Sequence, residues 1–150
     1  MLDNSTKYRI AVCLGLVAIS VLCYLPVFTA DFSGYDDTIY ITENKTVQRG
    51  LNVETVLWAI TSYDTGNWHP LTWLSHLLDV ELFGMDARGH HATSVLIHVI
   101  NVLLLLWLLV QLTGAFWRSA IVAALFAVHP LNVESVAWIA ERKNVLSTTF

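Results

Sequence analysis

Two adjacent carboxylates, Asp36 and Asp37, follow Gly34-Tyr35 just after a long apolar run. Neighbouring carboxylates repel each other, and beside an apolar slab both are costly to ionise. Such a pair can supply a general base with a partner that orients it or shares its proton. The same residues also suit a solvated acidic turn. A second polar group, His129-Pro130-Leu131-Asn132-Val133-Glu134, follows a later apolar run, and Glu141-Arg142-Lys143 closes the segment. A histidine, an acid and two bases at a membrane surface can hold an anionic lipid headgroup. Alternatively, Glu141, Arg142 and Lys143 form a local ion pair worth at most about 1 kcal/mol. His69, between Trp68 and Pro70, and the trio His90, His91 and His98 raise the question of a metal. On one helix His91 and His98 share a face but stand about 10 Å apart along its axis. They cannot chelate one ion without help from elsewhere, and neither H-E-x-x-H nor paired cysteines occur. The residues therefore indicate no metal, and give these histidines packing or hydrogen-bonding roles. Cys13 and Cys23 lie about 15 Å apart along a helix, too far to pair.

These groups need a scaffold, and the composition indicates its solvent. Of 150 residues, 55% are hydrophobic and 13% charged, with mean hydropathy +0.57. A soluble domain carries about 25% charged residues, so this chain has too few to cover its apolar surface. That excludes disorder and an ordinary cytosolic enzyme. A net charge of −4 with no basic cluster excludes nucleic acid as a partner. The expected fold is all-α, a polytopic transmembrane helix bundle with membrane lipid as its surroundings.

Residues 10–30 carry no charge and suffice to cross a hydrocarbon layer of about 30 Å. Lys7 and Arg9 before this run and Asp31, Asp36 and Asp37 after it give a cytoplasmic N-terminus, residues 1–9. The run is longer than the roughly 7–15-residue core of a signal peptide and A-D-F-S is a poor cleavage context, which favours a retained anchor over a cleaved signal peptide. A second span is expected over 92–112, then a cytoplasmic turn, 113–118. A third covers 119–128, with a start that can reach back to 115, and a fourth begins at 144–150. Ending in mid-pattern suggests an N-terminal piece of a longer protein. Residues 31–91 then form the first outer loop, with nine acids against three bases, and 129–143 the second. Arg142-Lys143 on the outer side departs from the positive-inside rule.

The first outer loop is too long to be structureless. Asn52 can cap a helix to about Ser62 with Val53, Val56, Leu57 and Ile60 on one face. Pro70 suits the first turn of a second helix, with Leu71, Leu74, Leu77 or Leu78 and Leu82 on its apolar side, and Gly84 ends it. Two amphipathic helices on the outer membrane surface, anchored by Trp58, Trp68 and Trp73, are expected. Asn101 within the second span is polar glue for a neighbouring helix, or a site residue.

Four blocks carry a family resemblance: D-F-S-G-Y-D-D-T-I-Y-I-T-E-N from Asp31, N-W-H-P-L-T-W-L-S-H-L-L-D-V-E-L-F-G from Asn67, G-H-H-A-T-S-V-L-I-H-V-I-N-V-L-L from Gly89, and A-L-F-A-V-H-P-L-N-V-E-S-V-A-W-I-A-E-R-K-N-V-L-S from Ala124. Together they resemble the N-terminal membrane region of bacterial tetratricopeptide-repeat membrane proteins. Those are similar to the eukaryotic transmembrane and tetratricopeptide-repeat O-mannosyltransferases and to the wider polytopic glycosyltransferases of the C-type fold. The resemblance implies transfer of a sugar from a polyprenyl-phosphate donor to a hydroxyl of a protein or glycan acceptor, usually with inversion. It implies a site on the periplasmic face of a bacterial inner membrane. On the family pattern Asp36 is the base and Asp37 assists or orients it. Arg142, and with it Lys143, neutralises the leaving phosphate, and His129, Glu134 and His69 line the cavity. No cofactor beyond the lipid-linked sugar is implied; a divalent metal is compatible but not indicated. The family has many more spans, so this piece alone is expected to be inactive. The competing expectation is a non-catalytic membrane anchor or scaffold for downstream tetratricopeptide repeats.

Overall fold

A computed structural model describes residues 3–150; Met1 and Leu2 of the expected N-terminal segment lie outside it. Among the described residues every regular element is helical. Helix α1, Asn4–Cys23, starts where the Asp3 carboxylate accepts from the Ser5 N–H at 2.6 Å. At 1.5 Å per residue it is about 30 Å long. It begins before the expected residue 10 and gives way to a 3₁₀ turn, Leu25–Thr29. Pro26 explains the change, because its ring and missing N–H cannot continue an α-helix.

Helix α4, Ala87–Thr113, is capped by Asp86 and ended by Gly114, whose φ of 67° is the left-handed conformation glycine tolerates. It starts ahead of the expected 92 and so takes His90 and His91 into its first turns. Helices α1 and α4 are both long and apolar enough to cross a membrane. Helix α5, Phe116–Ala127, is apolar but only about 18 Å long.

The three helices pack antiparallel in sequence order. At one end the Arg9 guanidinium lies 5.4 Å from the Phe116 ring centroid, so α1 and α5 start together. At the other, the Tyr24 ring meets His98 edge-on at 5.2 Å, and a His98 ring nitrogen bonds the Ala127 carbonyl at 3.1 Å. Their shared core contains Leu16, Val102, Leu106, Ala120, Ala123 and Ala127. The three alanines put a narrow face of α5 against its neighbours, which lets backbones approach.

The segment between α1 and α4 is folded. Helix α2, Val53–Thr61, carries a reciprocal cap: Asn52 accepts from the Thr55 N–H at 3.0 Å, and Thr55 accepts from the Asn52 N–H at 2.9 Å. Asn52→Ala is expected to cost about 1 kcal/mol, read as a lower thermal midpoint, with Asn52→Ser nearer the parent. Helix α3, Pro70–Phe83, begins at a proline and ends at Gly84, φ 62°. A π-helical turn, Thr38–Thr42, completes this layer. Its core joins Tyr40, Ile41, Val47, Ala59, Trp73, Leu77, Ile139 and Ala140.

The apolar residues expected on one side of α2 and α3 divide between surface and core, Leu77 being buried. Val53, Leu57 and Ile60 on α2 and Leu71, Leu78 and Leu82 on α3 point outward. The inner face of α3 is Thr72, Trp73, His76, Leu77 and Asp79. Trp73 is therefore not an interfacial anchor. It is fully buried, stacked on Tyr40 at 5.0 Å and tilted against Trp58 at 4.9 Å. Trp68 is the one of the three that stays exposed.

After α5 the chain forms α6, Asn132–Ala137, and α7, Arg142–Ser147. Asn101 binds α7 to α4: its amide donates to the Val145 carbonyl at 2.8 Å, and its oxygen accepts from Thr149 at 2.7 Å.

Candidate functional site

The two polar segments read from the sequence meet. Asp37 is buried, and its carboxylate accepts from two backbone N–H groups, Ser33 at 2.8 Å and Ala140 at 2.8 Å. The second bond closes a separation of 103 residues and clasps the chain after α1 to the turn before α7. Both carboxylate oxygens are engaged this way, which suits Asp37 to orienting its surroundings.

Asp36 is half-buried on the neighbouring position. Among the described residues no hydrogen bond reaches its carboxylate, but its charge is close enough to help hold the Lys143 ammonium protonated. Lys143 extends from α7 over the Tyr40 ring, 5.5 Å from its centroid, and donates to Glu141 at 2.7 Å. Burial pulls the Lys143 pKa down, but Glu141, Tyr40 and Asp36 outweigh it, and the net direction is up. His69 stacks on Tyr40 at 5.7 Å. Burial, then the nearby Lys143 charge, lower its pKa and favour neutral imidazole. One edge of the layer thus carries a carboxylate, a fixed ammonium, a phenol and a neutral imidazole.

An open groove of about 320 Å³ runs from this edge. Lys143 and His69 stand in its wall with Trp68, Leu71, Leu146 and Phe150. Such a groove can take an apolar chain whose anionic end meets the lysine.

Arg142 points the other way. It is fully buried and donates to Asp79 at 2.5 Å, the His90 carbonyl at 2.6 Å, Ser94 at 3.2 Å and Ser75 at 3.5 Å. Asp79 also accepts from Thr93 at 2.6 Å. Burial lowers the Arg142 pKa against the opposing pull of Asp79, yet a guanidinium stays charged in proteins. The arginine ties α7 to α3 and α4. All three of its nitrogens are committed inside the protein, which differs from direct contact with a phosphate.

His129 and Glu134 are exposed around the start of α6. His129 Nδ1 accepts from the Leu131 N–H at 3.3 Å. Among the described residues no hydrogen bond or ion pair joins either to Asp36 or Lys143. The structure therefore links Asp36, His69 and Lys143 by charge and stacking, ties Asp37 to the turn before α7 and buries Arg142 against α3 and α4; among the described residues no hydrogen bond or ion pair joins His129 or Glu134 to them.

Sequence reading missed Asp79, His76, Tyr40 and Ser94. The available signal was the polar stripe Thr72, His76 and Asp79, spaced i, i+4 and i+7 along α3. It is hidden among leucines that dominate any count of apolar residues.

No family model and no solved structure matches the chain. Curated proteins do. Protein O-mannosyl-transferase Tmtc1 of Drosophila melanogaster is 30% identical over 140 residues, covering 89% of this chain and 16% of that protein. Protein O-mannosyl-transferase TMTC1 of Mus musculus is 31% identical over 141 residues, covering 88% of this chain and 15% of that protein. Protein O-mannosyl-transferase F38B6.6 of Caenorhabditis elegans is 31% identical over 149 residues, covering 90% of this chain and 21% of that protein. The chain spans about a sixth to a fifth of the length of these relatives. Over nearly all of its own length, this all-helical chain with two helices fit to cross a membrane is similar to proteins named as protein O-mannosyl-transferases.

Proposed function

We propose that the chain forms part of the donor site of an integral-membrane glycosyltransferase that moves a sugar, a mannose by analogy with its relatives, from a polyprenyl phosphate to a hydroxyl of a protein or glycan acceptor. The observation that carries this reading is the shared edge of Asp36 and Lys143, fixed by the bond from Ala140 to Asp37, with an apolar groove leading from Lys143. The groove suits a prenyl chain and the ammonium suits its phosphate.

The chemistry follows from these placements. The acceptor oxygen forms a bond to the sugar C1 as the bond from C1 to the phosphate oxygen breaks. The acceptor proton passes to the Asp36 carboxylate, and the electron pair leaves on the phosphate. Attack opposite the leaving group inverts C1. Negative charge grows on the phosphate as the bond breaks, so Lys143 stabilises the transition state more than the ground state. Glu141 releases the ammonium as phosphate arrives. Asp37 and Arg142 hold the two segments in register, and His129 and Glu134 serve as outer rim residues.

The proposed topology has α1, α4 and α5 crossing or entering the bilayer and the site on the non-cytoplasmic side, periplasmic in a bacterial inner membrane. Helices α2 and α3 lie on that surface. Their outward Val53, Leu57, Ile60, Leu71, Leu78 and Leu82 support this, because such a patch is costly in water.

The test is transfer of labelled mannose from a polyprenyl-phosphate donor to hydroxyl-bearing acceptor peptides by the natural-length protein in membranes. Lys143→Met is expected to lower kcat/KM for the donor by about 10–100-fold, from roughly 1.5–3 kcal/mol for a hydrogen bond to a charged group. Equal rates for parent and variant, or no transfer by the parent, would reject the donor site and favour the scaffold.

A further inference from the structure

The histidines of α4 find the help they lack in sequence on α3. His76 and Asp79 are three apart on one helix and present one face; His90 comes from the first turns of α4. All three side chains are buried, and one ligand atom from each lies within 4.8 Å of the others. Among the described residues neither ring nitrogen of His76 has a hydrogen-bond partner, and neither does Nδ1 of His90.

The tautomer of His90 sharpens this. Its Nε2 lies 3.0 Å from the Gly84 carbonyl, which can only accept, so Nε2 carries a proton. In neutral imidazole Nδ1 is then a bare lone pair. It lies 3.6 Å from the carboxylate oxygen Asp79 Oδ2. Two lone pairs facing each other in a buried layer repel unless a positive charge lies between them. The Arg142 guanidinium satisfies the oxygen but gives nothing to the imidazole.

We propose that His76, Asp79 and His90 bind a divalent transition-metal ion of the zinc type. Two imidazole nitrogens and one carboxylate oxygen form a donor set that zinc accepts, with a further position open. At bond lengths of about 2.0–2.2 Å the donors must draw closer than their present spacing, a shift that imidazole rotation can supply. A carboxylate offers about four lone-pair sites, so Asp79 can bind the ion while still accepting from Arg142 and Thr93. The guanidinium repels the ion, and the buried carboxylate of Asp37 partly offsets it. His90 would then follow a familiar pattern, a ligand whose second ring N–H donates to a backbone carbonyl. The ion would tie α3 to α4 beneath the segment that carries Lys143. This proposal stands independently of the transferase reading.

The test uses the natural-length protein, purified in detergent and stripped with a chelator. Adding Zn²⁺ is expected to restore one equivalent per chain and raise the thermal midpoint; Co²⁺ is expected to give a visible ligand-field band. His76→Gln and His90→Gln should each lower affinity by at least tenfold, whereas His129→Gln, on the exposed start of α6, should leave it unchanged. If a variant fails to fold, X-ray absorption of the zinc-loaded parent counts the imidazoles: two support the site, none or one overturns it. A parent that binds neither ion, or His76→Gln and His90→Gln proteins that bind as tightly as the parent, also overturns it.

Discussion

Arg142→Met is expected to lower stability by about 3–5 kcal/mol. The Asp79 carboxyl would be left buried without its cationic partner, and desolvation rather than lost attraction sets most of that cost. The His90 carbonyl and the Ser94 hydroxyl would lose their donor as well. The double variant Arg142→Met, Asp79→Leu should be more stable than Arg142→Met alone, because it removes the buried carboxyl group left without a partner. Reversible unfolding in mixed micelles reads both. A loss below about 1 kcal/mol, the level of an exposed ion pair, would show that Arg142 is not held as described. A phosphate-binding arginine on an open surface would behave in the opposite way: its loss would lower donor affinity and leave the fold intact.

Asp36→Asn is expected to lower sugar transfer by about 10²–10⁴-fold, the usual contribution of a general base. Expression and thermal midpoint should stay at parent values, since among the described residues the Asp36 carboxylate accepts no hydrogen bond. Asp37→Ala should behave differently. It strands the Ser33 and Ala140 N–H groups, so its effect should fall on stability as well as rate. Transfer by Asp36→Asn within fivefold of the parent would remove Asp36 as the base. Matched losses of rate and stability at Asp36 and Asp37 would mean that the pair is only a turn.

The helix ends could be read from local chemistry. Asn52, Pro70 and Gly84 each act within one turn of their own position, and sequence alone shows such features. The length and apolarity of α1 and α4 were equally plain. What the sequence concealed depends on distant partners. Asp79 faces inward from α3 because Arg142, 63 residues further on, is buried against it. Leucine spacing could not reveal that. Trp73 looked like an interfacial anchor because tryptophans often are; Tyr40 and Trp58 enclose it instead. Arg142 and Lys143 are adjacent and look equivalent, yet successive helical residues point about 100° apart, and so one enters the core while the other stays at the rim. For the candidate site, the residue types were legible and their division of labour was not.

The proposed site requires the chain after α1 and the turn before α7 to share one face of the membrane. Single cysteines at Tyr35, Leu131 and Trp117, which are 78%, 81% and 63% exposed, would be placed in a background with Cys13 and Cys23 replaced by alanine. They would be probed with a membrane-impermeant thiol reagent in sealed vesicles. Tyr35→Cys and Leu131→Cys should label from the same side, and Trp117→Cys, beside the start of α1, only from the other. Labelling of Tyr35→Cys and Leu131→Cys from opposite sides would contradict the shared site.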